Sequence, residues 1–191
     1  MKYNILFLSV NDLKENSVID TNVEDKILES SILDAQSIDI QNIIGTKLYV
    51  KLLDLINTEE ISLSGNTEYK TLLDEYIYPT HLKFSLLRSI MPMRVKFRNK
   101  GLMEQNSDNA QPVDKEFINY IENKIRNDVE FYSNKLKGYL CYFLNIYPEY
   151  DTTLPVNRFD YNYPNKKNSY FSGIYLGGRD FRSNGEDRDD R

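Results

Sequence analysis

Tryptophan is missing from this chain, and cysteine and histidine occur once each. A single thiol excludes an internal disulfide and fits a reducing compartment. One imidazole and one thiol put the usual zinc ligand sets out of reach. Cys141 and His81 have no local signature of a nucleophile–base pair. Cys141 lies on an apolar helix face, as a small buried hydrophobe would, and His81 near a helix start suits a surface or half-buried packing role. Long apolar runs are also lacking. Ile5–Leu8 is too short for a signal-peptide core and far too short to span a membrane, so synthesis inside the cell is expected. There is no N-x-Ser/Thr sequon and no P-loop, and Gly173, Gly177 and Gly178 do not form a dinucleotide fingerprint. Asp180–Gly185 approaches a calcium loop, but Arg182 takes a ligand position and Arg191 replaces the required Glu. With no convergent constellation of reactive groups, neither catalysis nor a cofactor or metal is expected.

Tyrosine, in contrast, is plentiful: 15 Tyr in 191 residues. Tyr joins a large apolar body to a polar tip, which suits interfaces that must also survive in water; drift toward AT-rich codons explains the surplus equally well. The net charge of −5 argues against a nucleic-acid binder held by counterion release. That charge is unevenly spread. Residues 1–60 carry five Lys/Arg against eleven Asp/Glu, whereas residues 79–106 carry six against one. The two stretches are either solvated faces of one monomer or complementary contacts between copies.

Helical periodicity dominates the first 150 residues. Ser9 with Asp12 resembles a capping box opening a short helix to about Asn16. Asn22 is a candidate N-cap for a helix whose stripe is Leu28, Ile32, Ala35 and Ile38, with Asp39 re-capping a continuation to Ile44. Gly45 suits the left-handed end of that helix and Thr46 the cap of the next, with Leu48, Tyr49, Leu52, Leu53 and Ile56 on one face. After a loop over 57–66, Tyr69, Leu72, Leu73 and Tyr76 mark a further helix. Pro79 predicts a kink near Tyr78, and Pro92 a stop after Leu82, Leu86, Leu87 and Ile90. Asp114 caps the longest helix, which runs through Ile118, Ile121, Ile125, Tyr132, Leu136, Tyr139 and Phe143 to about Tyr147, with Gly138 as a bend or close crossing.

Between those last two helices the period changes to two. Met93, Val95 and Phe97 alternate with Arg94, Lys96 and Arg98, and Asn99-Lys100-Gly101 supplies a turn, predicting a β-hairpin at about 93–105. Arg94, Lys96, Arg98 and Lys100 make it a basic contact surface. Beyond Pro148 helical periodicity is lost, and only Tyr170–Leu176 has strand character. The expected fold is therefore mainly α: an N-terminal arm (1–8), a helical bundle (9–148) with one hairpin, and a long extended C-terminal arm (149–191). That arm should order against a partner through Tyr150, Phe159, Tyr161, Tyr163, Tyr170, Phe171, Ile174, Tyr175, Leu176 and Phe181.

The order "helix ending in DAQ, short helix to IIG, then TKLYVKLL", carried by Ile32, Ala35, Gln36, Ile44, Gly45, Leu48 and Tyr49, together with the Asn99-Lys100-Gly101 turn, resembles the head–tail connector (adaptor or ring) proteins of tailed bacteriophages. It is most similar to those of Bacteroidetes and crAss-like phages. The likeness covers roughly residues 8–148 and is weaker in the tail. It implies a structural virion protein made in the host cytoplasm: a homo-oligomeric ring of about twelve copies below the portal, contacting further tail or ring proteins. The ring would continue the DNA channel without binding DNA specifically or meeting a membrane, and its C-terminal arms would reach the portal. The competing readings are a DNA-binding packaging protein, like a small terminase subunit, with a helix-turn-helix at Ile38–Ile56, and an enzyme with an unrecognised site.

Overall fold

A computed structural model describes residues 5–98, 101–104 and 114–150, with backbone only at residues 96–98, 101–104 and 115. The described body is mainly helical. Helix α1 (Val10–Glu15) opens on the expected capping box: the Ser9 hydroxyl accepts from the Asp12 N–H at 3.1 Å, and the Asp12 carboxylate accepts from the Ser9 N–H at 3.2 Å. Helix α2 spans Asp25–Asp34 and starts later than Asn22 predicts, because Asn22 sits inside a turn that the Val23 N–H closes on the Asp20 carbonyl at 3.1 Å.

Beyond α2 the chain widens into a π turn, Ala35–Ile40, before the short α3 (Gln41–Ile44). The Gln41 N–H reaches back five residues to the Gln36 carbonyl. A π turn advances fewer degrees per residue than an α turn, so the apolar stripe slips. Ile38, expected in the core, is 53% exposed, and Ile40 is buried in its place. Asp39 does not re-cap the chain; its backbone neighbours stay helical and its carboxylate pairs with Arg88. Gly45 then breaks the helix at φ 79°, ψ 157°, a positive-φ conformation reserved for glycine and more extended than the left-handed helical one. Helix α4 (Thr46–Asn57) follows with Leu48, Leu52, Leu53 and Leu55 buried.

Two single 3-10 turns, Glu60–Ser62 and Ser64–Asn66, lead into one long helical run: α5 (Thr67–Thr71), a second π turn (Leu72–Ile77) and α6 (Tyr78–Arg94). The π turn supplies the irregularity that Pro79 predicts. Proline offers no N–H to the Glu75 carbonyl, and the wider turn falls just there. Pro92 does not stop α6. Only the Arg88 carbonyl loses its donor, one turn from the end, and the helix continues to Arg94. Backbone pairing joins β1 (Val95–Arg98) antiparallel to β2 (Gly101–Glu104), with Val95 opposite Glu104 and Arg98 opposite Gly101. Helix α7 (Lys115–Tyr142) is about 42 Å long at 1.5 Å per residue. It ends five residues before Tyr147, and hydrogen-bonded turns from Phe143 to Tyr150 follow.

Helix α6 is central, packing on α1, α2, α7 and both π turns. The core has two lobes. One gathers Ile40, Ile44, Leu48, Leu52, Leu72 and Leu136, and the other Leu13, Leu28, Ile32, Leu82, Leu86 and Ile125. Residues 5–8, expected as part of an arm, belong to this body: Phe7 enters the first lobe and Leu8 the second.

Candidate functional site

The residues that carry the resemblance are mostly buried structural positions. Gln36 is the most constrained of them. Its side-chain oxygen accepts from the Phe7 N–H at 2.8 Å, while its nitrogen donates to the Ile5 carbonyl at 2.8 Å and the Tyr49 hydroxyl at 3.1 Å. A primary amide presents a donor and an acceptor side by side, as a neighbouring strand would, so Gln36 satisfies backbone groups on either side of Leu6. Ile32, Ala35, Ile44 and Leu48 are fully buried around it. These positions define a fold rather than a reaction.

His81, expected at or near the surface, is completely buried. The reason is its place early in α6, the central helix, facing α2. There its Nε2–H donates to the Ile32 carbonyl at 3.0 Å, and Nδ1 has no partner among the described residues. Burial pushes its pKa down to about 4, only partly offset by that hydrogen bond and by Asp39. A neutral imidazole sealed among helices is a packing group. Cys141 reverses the other expectation: it is exposed. The register of α7 places Leu136 and Leu140 inward and Cys141 one residue past that stripe.

Several tyrosines form an internal cluster. The Tyr147 hydroxyl donates to the Glu68 carbonyl at 2.9 Å and lies 3.1 Å from that of Tyr139, and the Tyr69 hydroxyl donates to the Glu149 carboxylate at 2.8 Å. Tyr76 stacks on Tyr139 with ring centroids 3.8 Å apart. Burial first, and then the Glu149 carboxylate, raises the Tyr69 pKa to about 12. Part of the tyrosine surplus thus serves the chain's own core. Tyr150, expected in the docking arm, is only 5% exposed and packs in the first lobe; burial raises its pKa to about 12, with a contribution from the Cys141 thiol.

Two surface features remain. On α7, Ile125, Val129, Leu136 and Leu140 face the body, while Tyr120, Phe131 and Tyr142 stand 65%, 64% and 81% exposed. Those three are spaced eleven residues, close to three full turns, and so form one row on the face opposite the core. Phe117, 54% exposed, lies beside Tyr120 with ring centroids 6.4 Å apart. The second feature is a cleft of about 570 Å³ between the end of α2, the C-terminal half of α6 and α7. Phe84, Leu87, Met91, Pro92 and Val129 supply its apolar lining. Its charged lining is Asp34, Asp39, Glu122 and Glu130 against Arg88 and Arg126. Arg88 holds Asp39 in a two-point pair, Nε–Oδ2 2.5 Å and Nη2–Oδ1 3.0 Å, and Arg126 holds Glu122 at 2.5 Å.

Of the basic hairpin positions, Arg94 is the half-buried last residue of α6, and Lys96 and Arg98 lie on β1 with backbone alone described. Lys100 lies outside the described residues, as do Phe159, Tyr161, Tyr163, Tyr170, Phe171, Ile174, Tyr175, Leu176 and Phe181. Neither the cleft nor the aromatic row was apparent beforehand; eleven-residue spacing of Tyr120, Phe131 and Tyr142 was the available signal for the row. Among the described residues no group of three or more His, Cys, Asp or Glu could hold a metal ion, and no helix is long and apolar enough to cross a membrane.

No curated protein and no solved structure matches the chain. A family model matches residues 40–160, more than half of the chain, from the π turn through α7 and beyond. The protein belongs to that family, DUF6712, a family of unknown function.

Proposed function

We propose that the protein is a ring-forming structural component of a phage virion, a head–tail connector that sits below the portal and continues the DNA channel. In this reading the β1–β2 hairpin and the segment after Tyr150 are contact arms, toward a neighbouring copy and the portal respectively. The observation that carries it is the row Tyr120, Phe131, Tyr142 on the outer face of α7. Large aromatic side chains in line on a helix face, away from the core, lose their apolar exposure when a neighbour covers them. A heterologous contact repeated by rotation closes into a ring. The similarity of Ile32, Ala35, Gln36, Ile44, Gly45, Leu48 and Tyr49 to connector proteins supplies the class of assembly.

The packaging-protein alternative gains little from the geometry. The outer face of α4 carries Val50 and Asp54 with Lys47, and Lys51 lies over the Tyr69 ring at 5.9 Å. Such a helix offers phosphates few cations. The test is the mass of the purified protein by sedimentation velocity, alone and with its cognate portal. A closed species of about twelve copies, lost when Tyr120, Phe131 and Tyr142 are all changed to Ser, is the expected result. A protein that stays monomeric in both conditions, or that shifts duplex DNA in a salt-dependent manner, refutes the reading.

A further inference from the structure

The cleft between α2, α6 and α7 joins an apolar lining to an acidic rim. Four carboxylates, Asp34, Asp39, Glu122 and Glu130, face two guanidiniums, an excess of two negative charges. Both guanidiniums are already engaged, Arg88 by Asp39 and Arg126 by Glu122. An anionic ligand would therefore have to displace a carboxylate from each arginine, whereas a cationic one meets Asp34 and Glu130 exposed at the rim. A volume of about 570 Å³ is within the range of clefts that bind ligands. The occupant it fits is a short segment, basic on one side and apolar on the other.

This chain contains such a segment. Within β1, Val95 and Phe97 alternate with Lys96 and Arg98, and Lys100 follows two residues later in the sequence. Period two in a strand sends the apolar set and the basic set to opposite faces. We propose that the cleft is the socket for the β1–β2 hairpin of a second copy of this chain, an inference that rests on the ring reading above. Phe97 and Val95 would meet the lining formed by Phe84, Leu87 and Val129, and Lys96, Arg98 and Lys100 would meet the acidic rim. The socket and the plug are different surfaces, so a contact made once between neighbours is head-to-tail and propagates around a ring, whereas a reciprocal exchange would close a two-fold dimer. It also accounts for the uneven charge along the sequence: the acidic first third supplies Asp34 and Asp39, and the basic stretch supplies the plug.

The experiment is a charge exchange on the full chain, read by sedimentation velocity with circular dichroism to verify folding. One variant carries Asp34→Lys and Glu130→Lys, a second carries Lys96→Glu and Arg98→Glu, and a third combines all four. Each of the first two should weaken self-association at least tenfold, and the third should recover most of the loss. Losses that simply add in the third variant overturn the socket while leaving a ring, if one forms, untouched. Recovery accompanied by an open or small oligomer upholds the socket and refutes the closed ring. A wild-type chain that never self-associates overturns both, whereas a charge exchange that alters only the stability of the monomer overturns the socket alone and would place the hairpin in its own chain's cleft.

Discussion

At the scale of the single residue, His81 couples the fold to pH. Its folded pKa of about 4 lies below the ordinary value of 6.5, so the unfolded chain binds the proton that the folded chain excludes. Stability from this group is complete above about pH 6.5, declines as pH falls toward 4, and levels off below that. The window is worth about 3 kcal/mol. Replacing His81 with Gln, which keeps an N–H for the Ile32 carbonyl but does not titrate, should flatten urea-measured stability between pH 6.5 and 4.5 relative to the wild type. Identical slopes for the two proteins would show that the imidazole is not sealed off as described. Sequence alone misplaced this residue because a polar side chain after a proline ordinarily faces water; the centrality of α6 is a tertiary fact. Gln36 was legible as part of a pattern, but its role was not, since its partners Ile5 and Phe7 are 31 and 29 residues away.

At the scale of the element, Gly138 lies in α7 with open space where a Cβ would be. It neither touches a neighbouring helix nor needs a special backbone angle there. Gly138→Ala should therefore stabilise the fold by about 1 kcal/mol through lower unfolded-state entropy, visible as a higher denaturation midpoint. A lower midpoint would mean that the position is covered by another surface. Helix existence and most buried faces were readable from the 3.6 period, as with Leu28 and Ile32 on α2 and Leu48 and Leu52 on α4. The failures cluster at two π turns. Five-residue hydrogen bonds at Gln41 and Tyr78 shift the phase of the stripe locally, which is why Ile38 and Ile40 exchanged places. Helix ends were less legible still: Pro92 lies inside α6, and α7 stops at Tyr142 because the chain there turns to bring Tyr147 and Tyr150 into the core.

At the scale of the molecule, the helical body extends past Pro148 to take in Glu149 and Tyr150. Glu149 accepts the Tyr69 hydroxyl, and Tyr150 fills the first lobe. A chain cut after Tyr147 should be about 3 kcal/mol less stable than one cut after Tyr150, comparable to removing a buried aromatic ring. Equal denaturation midpoints for the two would deny Tyr150 its structural role. The same lobe unites Phe7, near one end of the body, with Tyr147 and Tyr150 at the other. During synthesis this imposes an order of events. The ribosome must release α7 and the turns beyond it before Phe7 has its full set of neighbours, so the early helices emerge with their apolar stripes uncovered. A nascent chain stalled before residue 140 would be a client for chaperones, and committed folding would wait for the last turn to leave the exit tunnel.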